Sequence, residues 1–251
     1  MNDMENENLI DMEEEEIEEE IEEEEILVDL SAWELVKYLF SEPSKTMSCI
    51  AKKPKTLFPF LAILLGFTLM IFPRMGLLEE FLHTQLEENL AMQGMDISQM
   101  PPQIMKWTFI STIAAAVIGP VFIWFFKGLV VHILASITGS KGKLKAALSV
   151  IGYAYLIQLL GGGIQTIISI FTQNFLVHTS PAMFLSASQL ATPLGTFLQA
   201  LDVFAIWYLA VATIGIAYAY AMSQKKAALI VFGSWAAMVL FSVGSAMLKM
   251  K

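Results

Sequence analysis

The chain has almost no cysteine. Cys49 is the only one in 251 residues, so no internal disulfide can staple the fold, and cysteine usage leaves the redox compartment open. Base is missing from residues 1–30, which hold sixteen acids. Charge of either formal sign is missing from residues 172–196. The three histidines and one cysteine show no Cys/His zinc spacing. No paired nucleophile and base stands out, so an enzyme is not expected. The start of the chain has no basic region followed by an apolar core, so no cleavable leader is expected there.

Long apolar runs, by contrast, are abundant. Hydrophobic residues make up 56% of the chain, which fits a polytopic membrane protein better than a packed soluble domain. Five stretches are long enough to cross a hydrocarbon core of about 30 Å. They cover residues 57–73, 107–137, 147–171, 197–222 and 227–248. The second is longest, and Gly119-Pro120 within it predicts a kink, because proline removes a backbone bond. The expected fold is therefore all-α: five transmembrane helices preceded by amphipathic, interfacial helices.

Charge divides the rest of the chain. Beyond the acidic tail, eight acids face fifteen bases, so the body is basic. Residues 1–30 read as a solvated, disordered tail, since such glutamate blocks repel one another. Residues 31–56 read as a juxtamembrane segment with apolar and lysine-bearing faces, and residues 57–251 as the membrane domain. Ten lysines fall on the side of the N-terminus and four basic residues on the other. By the positive-inside rule the N-terminus is inside and the C-terminus outside. Between the first two spans, Leu77, Leu78, Phe81, Leu82, Leu86 and Leu90 fall at helical spacing opposite Glu79, Glu80, Glu87 and Glu88. This predicts an amphipathic helix on the outer surface.

Three motifs together resemble the Yip1 domain family of five-span membrane proteins. The first is Pro43-Ser44-Lys45-Thr46-Met47, continuing to Ile50-Ala51-Lys52-Lys53-Pro54 and Pro59. The second is His132-Ile133-Leu134 followed by Thr138-Gly139-Ser140-Lys141-Gly142. The third is Leu148-Ser149-Val150-Ile151-Gly152-Tyr153-Ala154-Tyr155. The resemblance runs over residues 31–248 and is closest to the prokaryotic branch. Ile157 departs from the family, which often has a proline shortly after Gly-Tyr. The resemblance implies a helical bundle with a cytoplasmic N-terminus, in a prokaryotic cell membrane, and supplies no catalytic residues. Eukaryotic members resemble adaptors for small prenylated GTPases, a role not carried over to this chain.

Ionisable groups inside a bilayer are costly and mark candidate sites. Here they are Lys127, His132 and Asp202, and a buried Lys127–Asp202 ion pair is the expected arrangement. Lys52, Lys53, Lys55, Lys141, Lys143 and Lys145 are candidate contacts for anionic headgroups. Gly152, Tyr153, Gly161, Gly162 and Gly163 are candidate helix-packing positions, since small residues let helices approach closely. The three consecutive glycines also allow an unwound, ion-binding segment as in transporters. Gly139-Ser140-Lys141-Gly142-Lys143 lacks the spacing of a phosphate loop. His83, Met92, Met95 and Met100 are too loosely spaced to argue for copper. No cofactor, metal or nucleic acid is expected. The expected partners are the bilayer, a cytoplasmic protein and a second copy of the chain. The leading functional expectation is a non-enzymatic membrane scaffold or adaptor. The alternative is a channel or transporter subunit using Lys127, Asp202 and Gly161-Gly162-Gly163.

Overall fold

The computed structural model describes residues 31–96 and 101–249, all helices and their connections among those residues. The acidic tail, Met100 and Lys251 lie outside them. Helix α1 is Ala32–Ser41, α2 Pro43–Lys52, α3 Leu57–Ile71 and α4 Met75–Met92. Then come α5 (Pro102–Ile137), α6 (Leu144–Thr172), α7 (Ala187–Leu190), α8 (Pro193–Ala200), α9 (Val203–Ala219) and α10 (Gln224–Lys249). Only helices and closed barrels satisfy every backbone polar group in lipid, so long apolar runs must coil.

Four helical units are long and apolar enough to cross a membrane, and α8 with α9 makes a fifth if that bent pair is one span. This is an all-α, multi-pass membrane architecture. Along α3, Leu57, Leu61, Leu65, Leu69 and Phe72 are exposed at near-helical spacing. In water such a stripe would be an aggregation patch; in lipid it is solvated.

Helix α6 is the centre. It packs against α2, α3, α5 and α9. In its most apolar stretch 61% is buried, against 11–22% for the other three long units. Its glycines permit this. A Cβ on Gly152 would lie 2.7 Å from Pro59 and 2.8 Å from the Trp124 indole nitrogen. A Cβ on Gly161 would lie 2.5 Å from the Phe204 ring, and one on Gly162 2.9 Å from Met70 Sδ. The helix runs unbroken through Gly161-Gly162-Gly163 and through Ile157, so those glycines are packing surface, with no unwound segment.

Three features of the helices bear on the sequence expectations. First, α3 does not end in a loop. A short 3-10 turn at Phe72–Arg74 carries it into α4, giving one rod over Leu57–Met92. The helix expected to lie on the outer surface therefore prolongs a span. At about 1.5 Å per residue the rod is about 54 Å long, well beyond the hydrocarbon core, and exposed Glu79, Glu80, Glu87 and Glu88 mark the excess. Leu78 and Leu90 are buried, and Phe81 stacks on Phe175 at 5.3 Å. Second, α5 passes through Pro120 as a single 36-residue helix. Third, the fourth span is broken. Helices α8 and α9 meet at 53°, because Asp202 opens a new helix there.

The amphipathic pair α1 and α2 is present, and its apolar side faces protein. Ser31 and Glu34 form a capping box at the start of α1, satisfying amides that a helix start leaves open. Pro43 begins α2, where its missing N–H costs nothing. Thr46, Met47, Ser48, Cys49 and Ile50 are buried, and α2 packs on α6 and α9.

Candidate functional site

Asp202 is held by its own helix. Its Oδ1 accepts from the amides of Phe204 (2.9 Å) and Ala205 (3.1 Å), the N-cap arrangement that offsets unpaired donors and the positive helix end. Its Oδ2 accepts from the Thr179 hydroxyl, and Gln165 Nε2 lies 3.5 Å away. Gln165 also donates to Thr179 at 2.7 Å. An aspartate before an apolar run is a readable helix-start signal, and it outranks the ion-pair expectation.

Lys127 is elsewhere. Its Nζ lies over the rings of Tyr208 (4.7 Å) and Tyr155 (5.3 Å), contacts that stabilise a desolvated ammonium by a few kcal/mol at most. The expected Lys127–Asp202 pair is not formed. Capping and Thr179 occupy the carboxylate, and the rings face the ammonium.

His132 belongs to a third place. Its Nδ1 is 2.6 Å from the Tyr220 hydroxyl, with the ring nitrogens' roles set by tautomer. Tyr220 also covers Gly142, where any Cβ would overlap the ring. Close by, Lys226 Nζ donates to the Thr138 carbonyl (2.9 Å) and Ser140 Oγ (3.2 Å). A cation on the free carbonyls at a helix C-terminus is favourable. Thus Lys127, His132 and Asp202 do not converge, and the structure gives each its own partners.

The motif residues do converge, at the lysine-bearing end. Ser149 Oγ accepts from the Lys55 amide (3.0 Å) and donates to the Lys55 carbonyl (3.2 Å). Trp124 donates to the Leu148 carbonyl at 3.0 Å. Tyr153 stacks on Phe58 at 5.8 Å. Gly215, on α9, lies so close to Val150 and Met47 that a Cβ would overlap both. The first and third motifs therefore lock α2, the start of α3 and the start of α6 into one joint. The second motif ties the end of α5 to the ends flanking α9 and α10. Lys52, Lys53, Lys141, Lys143 and Lys145 are exposed around this joint, and Lys55 is half-buried.

A family model for the Yip1 domain matches residues 37–246. The chain belongs to the Yip1 domain family. No curated protein and no solved structure gives a significant match. In this Yip1-domain chain the motifs that carry the resemblance work as packing and capping groups. Trp124, Gly215 and Lys226 lie outside the three motifs, and Ser149 lies within one without its bond to Lys55 being legible there. A glycine aligned with a neighbour's bulk has no one-dimensional signal, and neither has a lysine that reaches another helix's carbonyls.

Opposite the joint, Arg74 lies over the Phe175 ring at 4.6 Å and donates to Thr166 Oγ1 at 3.4 Å. Among the described residues no group of three or more His, Cys, Asp or Glu side chains could hold a metal ion.

Proposed function

We propose that this Yip1-family chain is a non-enzymatic scaffold in a prokaryotic cell membrane, with its N-terminus and lysine-rich turns in the cytoplasm. It recruits a cytoplasmic protein to the face built by α1 and the turn bearing Lys141, Lys143 and Lys145. One observation carries this reading. Helix α1 buries Leu35 and Leu39 while Trp33 stays 63% exposed, with Lys37 on the same outer side. Trp33 and Lys37 are one helical turn apart, so they share a face. The hairpin is fixed beneath by α2 and leaves an aromatic and basic edge outside, the composition of an interface anchor. The separate placements of Lys127 and Asp202 and the unbroken α6 give the channel reading no support.

Photo-crosslinking from position 33 in native membranes tests it, with a chain lacking residues 1–30 in parallel. A single saturable protein partner is the expected result. Crosslinks confined to lipid would overturn the scaffold reading. Loss of the partner on deleting residues 1–30 would place the acidic tail in the same interface.

A further inference from the structure

Two cavities meet at Lys127. One, of about 320 Å³, is lined by α5, α6, α8, α9 and α10, with Tyr208, Gln199 and Trp235 in its wall. The other, of about 710 Å³, is a groove between α5 and α10, with Phe126, Leu134, Gly233 and Ala237 in its wall. Lys127, Ser234, Met238 and Ser242 border both. The groove opens sideways to lipid, since Phe126, Ile137, Leu229 and Phe241 on its flanks are exposed.

Lys127 is the only cation among the described residues of either wall. Its side chain is partly buried, with two aromatic faces beside its ammonium and no carboxylate paired with it among the described residues. Intramembrane charges are ordinarily paired, and the carboxylate expected to pair with it, Asp202, is committed to its cap. The hydroxyls of Ser234 and Ser242 donate to the carbonyls of Val231 and Met238. Their protons are therefore committed to backbone carbonyls and are not offered to an anion. The wall suits one small anion of single charge held by one ammonium.

We infer that this cleft binds a single-chain amphiphile ending in one carboxylate, with the carboxylate on Lys127 and the hydrocarbon chain in the α5–α10 groove. Lys127 lies ten residues from the end of α5, about 15 Å along the axis. A phosphodiester lipid brought to that depth would bury unpaired polar groups on both sides of its charge, which is unfavourable. A carboxylate ends its chain and brings only two oxygens. A doubly charged phosphate monoester would leave one charge unpaired.

The test uses the full-length protein in phosphatidylcholine nanodiscs and a diazirine-bearing palmitate, with labelled peptides mapped by mass spectrometry. Saturable labelling of α5 and α10 is expected, displaced by palmitate and not by hexadecanol or phosphatidylglycerol. K127M should weaken labelling at least tenfold, while K127R retains most of it. G233W fills the groove from a position where an added Cβ meets nothing within 4 Å, so it should fold and still lose labelling. Displacement by hexadecanol or phosphatidylglycerol, or K127M and G233W labelled like wild type, would overturn the assignment.

Discussion

Asp202 and Tyr153 show how a single polar atom is treated in this bundle. The Asp202 carboxylate holds two helix amides and the Thr179 hydroxyl. Asp202→Ala should lower stability by about 2 kcal/mol, from the lost cap and the stranded neighbours. Asp202→Asn keeps an acceptor and should cost about half as much or less. Thermal unfolding in detergent measures both. A double-mutant cycle with Lys127→Met should be additive within about 0.5 kcal/mol, as for groups that share no partner. Strong coupling there would mean the two charges sense each other after all. The Tyr153 hydroxyl is buried and has no hydrogen-bond partner. Removing it leaves the ring stacked on Phe58, so Tyr153→Phe should raise stability by about 1 kcal/mol.

Among the elements, α2 is the piece whose seating depends most on missing side chains. A Cβ at Gly215 would overlap Val150 and press on Met47, 2.9 Å from its sulfur. Gly215→Ala should therefore destabilise the α2–α6–α9 joint by about 1–3 kcal/mol, the usual cost of overpacking. The native thiol reports on this directly. Cys49 is 3% exposed on α2, so its reaction with a maleimide should be slow in the native protein and faster in Gly215→Ala. Gly233→Ala, with open space at its Cβ, should leave that rate unchanged. Helix α1 depends on a different kind of contact. The Glu34 carboxyl accepts from the Ser31 hydroxyl (2.7 Å) and amide (2.8 Å), and these bonds hold it below the ordinary glutamate range. A depressed carboxyl stabilises above its unfolded pKa of about 4.3 and loses that contribution as pH falls through the lower folded value. The start of α1 should thus be intact at neutral pH and fray in acid. Glu34→Gln should remove most of that pH response, read from an NMR probe at Trp33.

At the scale of the whole molecule, the bent α8–α9 pair decides the topology. If it is one span, five crossings put the chain ends on opposite sides; if it is re-entrant, four put them together. The lysine distribution favours opposite sides. In a Cys49→Ser background, single cysteines at Lys143 and Gln93 should label from opposite faces of sealed vesicles. A cysteine at Ser188 should label with Gln93. Labelling of Ser188 together with Lys143 would reverse the placement of the loop after α6. The long rods add a second consequence. The α3–α4 unit and α5 both exceed the hydrocarbon core by roughly 20 Å, so the protein has a helical projection on the side away from its lysines.

Fold class, helical content and the number of apolar segments are all written along the chain. Those depend on local hydrophobicity over about 20 residues, which lipid reads almost one segment at a time. The cap at Asp202 is written there too, as an aspartate before an apolar run. Tertiary structure decided which groups meet. Whether Lys127 faces Asp202 or two tyrosine rings depends on the rotation and offset of α5 against α6 and α9, which neighbours' shapes fix. The same holds for Gly152, Gly161 and Gly215, whose missing side chains have meaning only beside Pro59, Phe204 and Val150. Apolar period is written along one chain, whereas complementarity exists only between two surfaces already folded.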